Sequence, residues 1–387
     1  MNHDALVAVA RAVFEAAGGT PIDPDYVLPA DIPLELSGEA VRARLCVFTD
    51  NRGAEMAMRP DLTLPVAQRE AARLEAARLE AARLEAARLE AGPSVKTYTY
   101  AARAFRLPAA QDDPFEFTQV GVERFGYAAD PSADAELFAL VHRAVEACGV
   151  SPKAIVTGDL AIFPACIDAL DLPAVTTDLL KRAFRQEGGV RAVLDAASRP
   201  LEADILAAIE APDTEAALNA VLAARDVPLV GARSLGEIAS GLRARRAAIE
   251  AGGLPETART ALLALRDVDC PLVDAPATLS ALAKAHALTG ASSALEAFAS
   301  RVEKILGLVP GARRTASFRA GFGRRFTYYD GFVFEVLAEG LAPTQPVAAG
   351  GRYDGLIAGL SGARVCATGI GGVVRPDRMA RVWRTDA

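Results

Sequence analysis

Histidine is almost missing from the 387 residues: only His3, His142 and His286 occur. They stand far apart with no cysteine nearby, so a zinc site is not expected. The five cysteines, Cys46, Cys148, Cys166, Cys270 and Cys366, are odd in number and include no CxxC pair. They read as buried, reduced thiols, not as a disulfide framework. Basic charge is also in short supply. The net charge of -7 offers no strong positive field, and a nucleic-acid partner is not expected. No apolar run is long enough to span a bilayer. The first residues, MNHDALVAVARAVFEAAGG, lack a basic segment followed by a long apolar stretch. They read as an amphipathic helix ending at Gly18-Gly19, without a signal peptide, and the expectation is a cytoplasmic protein. The Gly-rich stretch GGRYDGL carries neither a GxGxxG nor a Walker pattern, and no cofactor is expected.

What remains is globular. Hydrophobic residues make up 51% and charged residues 24%, too apolar for disorder. The length suits one large domain with an insertion, or two domains. After a Pro-rich loop, ARLCVFTD and AEMAMR flank Asn51-Arg52-Gly53 and predict a hairpin. RPDLT follows, then a helical pattern from about Leu64. Residues 71–90 are four copies of AARLE, a strong helix former with ion-pair spacing from Glu75 to Arg78. A five-residue period turns each successive leucine by about 140°. Leu74, Leu79, Leu84 and Leu89 therefore spiral, a heptad seam is excluded, and the repeat reads as a largely solvated helical extension. Beyond Gly92-Pro93, KTYTYAARAFR and EFTQVGVERFG predict two strands. Residues 132–148 read as helix and AIVTGD as strand. Helical pattern dominates from about 160 to 308. RRFTYYDGFVFEVL and ARVCATGIGGVV return to strand, with a Gly-rich turn, AAGGRYDGL, between them. The order predicts an α+β fold: residues 1–160 and 309–387 form one domain, and 161–308 form a mainly helical insertion.

Strand alternation places Phe117, Gln119, Gly121, Glu123 and Phe125 on one face. Gly121 leaves room above the sheet there, so Gln119 and Glu123 could meet an ammonium or imidazolium group. Tyr98, Tyr100 and Arg106 share a face of the preceding strand, where Arg106 could grip a carboxylate or phosphate. Each segment alone is read more simply, as a half-exposed strand, a surface ion pair or core aromatics.

Their order carries more. RPDLT, FR, EFTQVGVE, RRFTYYDGFVFE, GGRYDGL and TGIGGVVR together resemble histidyl-tRNA synthetase, from about residue 25 onward. The resemblance implies a class II aminoacyl-tRNA synthetase fold, an antiparallel sheet flanked by helices, and a dimer. It implies a histidine pocket in which Asp61, Thr63, Arg106, Gln119, Glu123, Arg324, Tyr329 and Tyr353 take part, with Arg375 on the ATP side. Simple alternation would set Arg324 and Tyr329 on opposite faces, so Arg324 is expected before the strand or at a bulge.

The departures matter equally. Leu107-Pro108 follows Arg106 where a synthetase carries an acidic stretch. Asp112 and Asp113 put negative charge where ATP would approach. The chain ends twelve residues after Arg375, with no anticodon-binding domain in the sequence. In these respects it resembles the regulatory subunits of ATP phosphoribosyltransferase. That resemblance implies a non-catalytic role in histidine biosynthesis and a hetero-oligomer with a short-form ATP phosphoribosyltransferase catalytic subunit. It also implies histidine as a feedback ligand and no catalytic residue in this chain. An amino-acid-adenylating enzyme and a stand-alone histidine-binding module are the competing readings.

Overall fold

A computed structural model describes all residues except 84–94, 110–112, 185–190, 192–193, 195–200, 228–233, 324–325 and 386–387. The later AARLE copies, the Gly92-Pro93 stop, Asp112 and Arg324 lie outside the described residues. The chain divides into two compact units. One holds Met1–Ala161, Val268–Leu279 and Ala294–Ala387; the other holds Ile162–Asp267 and Ser280–Ser293. Residues 268–279 and 294–308, inside the span read as insertion, thus pack with the larger unit. One reason is the helix Ser292–Leu308, whose buried Arg301 donates to Asp134 and Asp159.

The strands, in chain order, are β1 (Thr20–Pro21), β2 (Val27–Pro29), β3 (Val47–Thr49), β4 (Glu55–Met58), β5 (Lys96–Phe105) and β6 (Glu116–Phe125). They continue with β7 (Pro152–Asp159), β8 (Asp269–Pro271), β9 (Ala316–Arg319), β10 (Phe332–Ala338), β11 (Ala348–Arg352) and β12 (Gly369–Val374). Nine of them form one sheet in the order β1-β5-β6-β12-β11-β10-β7-β9-β8. The pairs β1·β5 and β7·β9 are parallel and the others antiparallel. The sheet is therefore mixed, a correction to the antiparallel sheet expected. Both parallel pairs join strands separated by long intervening segments, as parallel pairing requires.

Alternation gives the central strands two different faces. A Cβ on Gly372 of β12 would meet Val141 Cγ2 at 2.5 Å, in the helix Pro131–Ala147. A Cβ on its neighbour Gly371 would instead meet Glu123 and Tyr353. One face thus receives helices, capped by Asp130 at Pro131–Ala147 and by Asn2 at His3–Ala16. The other receives the helix Thr63–Arg83 and the cluster Leu62, Leu64, Tyr100, Phe117, Tyr328 and Tyr353. β2, β4 and β3 form a separate three-stranded sheet. Its predicted hairpin closes at Gly53 (φ +84°), with Asp50 Oδ1 accepting the N–H groups of Arg52 and Ala54.

Two readings of local structure need correcting. RRFTYYDGFVFEVL is strand only from Phe332, so Tyr328 and Tyr329 precede β10 and are free of its alternation. In AAGGRYDGL the pair Gly350-Gly351 lies inside β11, and the turn begins after it. The close packing of Gly350 and Gly351 explains this: a Cβ on either would come within 2.7 Å of a neighbouring carbonyl oxygen. The smaller unit, taken by itself, is helical, with a core of Leu201, Ala208, Ile209, Leu218 and Ala239. The cysteines are not all buried: Cys148 and Cys166 are, Cys46 and Cys270 are half-buried, and Cys366 is exposed. Among the described residues no helix is long and apolar enough to cross a membrane.

Candidate functional site

Two carboxylates organise the face that lies beneath the helix Thr63–Arg83. Asp61 stands just before this helix, and its Oδ1 accepts the Leu64 N–H at 3.0 Å. That bond ties off a helix N-terminus, the usual use of an aspartate here. Its other oxygen lies 3.5 Å from the Tyr328 hydroxyl. Burial pushes the Asp61 carboxyl above the usual carboxylate range. The Leu64 N–H and the Arg106 guanidinium oppose the shift.

Glu123 is fully buried on β6. Its Oε1 accepts from Thr63 Oγ1 at 2.7 Å and from the Tyr100 hydroxyl at 2.8 Å, and its Oε2 accepts from the Tyr353 hydroxyl. Burial pushes this carboxyl up to about 7; the three hydroxyls pull it down and Asp61 pushes it further up. Around it the rings of Tyr328, Tyr329 and Tyr353 pack together with centroids 4.7 to 6.1 Å apart, Tyr328 edge to face on Tyr353 and the other pairs tilted. Gln119 shares the Glu123 face of β6. Its Oε1 is buried without a hydrogen-bond partner among the described residues.

Guanidinium groups mark the other end. Arg106 donates from Nε to the Pro60 carbonyl at 2.9 Å. Its charge centre lies 5.2 Å from the Phe117 ring and 5.3 Å from the Phe326 ring. Burial, and then the Arg375 charge, push Arg106 down to about 10. Arg375 lies 3.7 Å over Phe117 and is held by both oxygens of Asp377, at 3.0 and 3.1 Å. Asp113 is not a bare negative charge: Arg44 pairs with it at 3.2 Å and also donates to the Leu107 carbonyl at 2.6 Å. The site thus places two buried carboxylates, Asp61 and Glu123, among aromatic rings, with the Arg106 charge acting on Asp61. Such an array suits a small zwitterion, cation toward Asp61 and carboxylate toward Arg106.

The histidyl-tRNA synthetase family model matches residues 2–251 and 238–375. An ATP phosphoribosyltransferase regulatory subunit from Chelativorans sp. is 32% identical over 368 residues, 92% of this chain and 91% of that protein. One of the same name from Brucella anthropi is 30% identical over 381 residues, covering 95% and 94%. The chain belongs to the ATP phosphoribosyltransferase regulatory subunit family. Solved structures agree on the fold. An ATP phosphoribosyltransferase regulatory subunit/histidyl-tRNA synthetase from Bacillus halodurans superposes with TM-score 0.64 at 19% identity, covering 98% of this chain and 78% of that one. A histidine–tRNA ligase subunit from Alicyclobacillus acidocaldarius gives 0.56 at 22% identity, covering 99% and 93%.

Within this family's fold, Asp61, Thr63, Glu123, Tyr329 and Tyr353 come together, with Arg106 beside Asp61. Two participants escaped the sequence reading. Tyr100 fills the space over Gly121 that was expected to lie open: a Cβ on Gly121 would meet its hydroxyl at 2.5 Å. The signal was present, since the two strands pair Tyr100 directly with Gly121. Tyr328 was passed over as a core aromatic because its contact with Asp61 spans 267 residues of sequence.

Proposed function

We propose that this chain is the non-catalytic regulatory subunit of an ATP phosphoribosyltransferase. It would act with a short catalytic partner that condenses ATP with phosphoribosyl pyrophosphate, the first step of histidine biosynthesis. The observation that carries the reading is the match, over nearly the whole length, to relatives bearing that name. In this reading the site holds free histidine: the ammonium group lies toward Asp61 and Gln119, the imidazole toward Tyr329, and the carboxylate toward Arg106. Arg324 is assigned to the same pocket by resemblance alone. The buried Asp61 carboxylate, which makes no ion pair among the described residues, supports a cationic guest. Two copies would pair within the hetero-oligomer, as the resemblance implies.

The adenylating alternative has one observation in its favour, the survival of Arg106 and Arg375 beside Phe117. Against it, Asp377 occupies the Arg375 fork and Leu107-Pro108 replaces the acidic stretch. Histidine-dependent ATP–pyrophosphate exchange separates the two. The purified chain is expected to show none, and robust exchange would make it an enzyme of the adenylating class.

A further inference from the structure

Both oxygens of Glu123 are spent on protein hydroxyls, and the side chain has no exposed surface. The donors come from three separate elements. Thr63 is the first residue of the helix Thr63–Arg83, Tyr100 lies mid-way along β5, and Tyr353 follows β11 directly. The sheet beneath has no slack: a Cβ on Gly371 would lie 1.7 Å from Glu123 Oε2 and 2.6 Å from the Tyr353 hydroxyl. Three of its roughly four acceptor positions are filled, and because Glu123 has no exposed surface a ligand cation could reach the remaining one only if a neighbouring group moved. Asp61, by contrast, has one oxygen 3.5 Å from the Tyr328 hydroxyl, Gln119 has an acceptor without a partner among the described residues, and Tyr329 is partly exposed.

We propose that Glu123 is a positioning residue: it clamps the start of the helix Thr63–Arg83, β5 and the turn after β11 into one frame, and leaves Asp61, Gln119 and Tyr329 to touch the ligand. Tyr100 belongs to the clamp and not to the ligand. The role departs from the one that resemblance would carry over to Glu123, which is contact with the imidazole or amino group. Only its ligand arm rests on the histidine reading above; the clamp is testable without any ligand.

The ligand-free arm is a set of thermal or urea unfolding measurements on the full chain. Thr63→Val and Tyr353→Phe act on opposite oxygens of one carboxylate. Each should destabilise the wild type and lose most of its effect in a Glu123→Ala background, since its partner is already gone. Unchanged effects in that background would overturn the clamp. The second arm is calorimetric titration with L-histidine. Glu123→Ala should weaken binding by about tenfold or more, and Glu123→Gln should recover affinity to within about threefold of wild type. The amide oxygen can still accept from Thr63 and Tyr100, and the amide nitrogen can donate to Tyr353. Equal losses in the Gln and Ala variants would mean that the ligand reads the charge of Glu123, and the positioning role would fall. A wild type that binds no histidine removes the histidine reading, while the unfolding measurements still decide the clamp.

Discussion

Glu123 holds its proton more tightly in the folded chain, near 7, than the ordinary carboxyl at 4.5. A group shifted in this direction adds stability that is fully present below its unfolded range and is lost as pH rises through the folded value. Asp61 is shifted the same way and Tyr100, Tyr329 and Tyr353 stay un-ionised throughout, so within this site the two carboxyls act in this window; the raised Asp159 lies outside the site and is unchanged by substitution at Glu123. Wild-type stability relative to Glu123→Gln should therefore fall between pH 4.5 and 7.5, by up to about 3 kcal/mol. Urea unfolding of both proteins at several pH values measures it; a pH-independent difference would contradict the buried, uncompensated charge. Gly371 gives a steric counterpart. With Glu123 Oε2 where its Cβ would go, Gly371→Ala should cost roughly 1–3 kcal/mol. A melting temperature equal to wild type would show that the packing around Gly371 yields. At this scale the sequence disclosed which residues meet, through alternation and motif order. It did not disclose that Glu123 is consumed by hydroxyls, because Thr63, Tyr100 and Tyr353 reach it from 60, 23 and 230 residues away.

The helix Thr63–Arg83 is the element where composition misled most and helped most. It spans about 31 Å at 1.5 Å per residue. Helix propensity fixed its existence, and the five-residue period excluded a heptad seam. The expectation of a solvated extension holds for the second copy, where residues 76–80 are all exposed and Leu79 is 65% exposed. It fails for the first. There Ala71 is buried, Leu74 packs on the core, and Glu75 pairs with Arg364 at 2.9 Å. Arg78, in the second copy, donates to the Arg364 carbonyl at 2.9 Å. Periodicity treats all copies alike, whereas the structure sets the first copy against the core and leaves the second exposed. Because the copies are identical, removing any two in register yields the same chain, which always keeps a copy at 71–75. That deletion should leave the melting temperature within about 1 °C of wild type, a shift that for a chain of this size corresponds to less than about 1 kcal/mol. A larger drop would mean that later copies pack on the chain as well.

Across the whole molecule, the fold class, the strand–helix–strand order and the pocket strands were legible, because each is written in local periodicity and in motifs of fixed order. The parallel pairs β1·β5 and β7·β9 were not, since pairing across long intervening segments leaves no local trace. The same distance hid the packing of 268–279 and 294–308 with the larger unit. What the molecule does is a property of an assembly, and the central claim is that this chain governs a separate catalytic subunit. The direct measurement combines the purified chain with a short ATP phosphoribosyltransferase catalytic subunit. Pyrophosphate release from ATP and phosphoribosyl pyrophosphate is then followed with and without L-histidine. The account predicts that the chain raises the rate of the catalytic subunit, and that histidine suppresses the rate of the mixture but not by way of an Asp61→Ala chain. A rate unaffected by the chain, or pyrophosphate turnover by the chain alone with histidine and ATP, would contradict it.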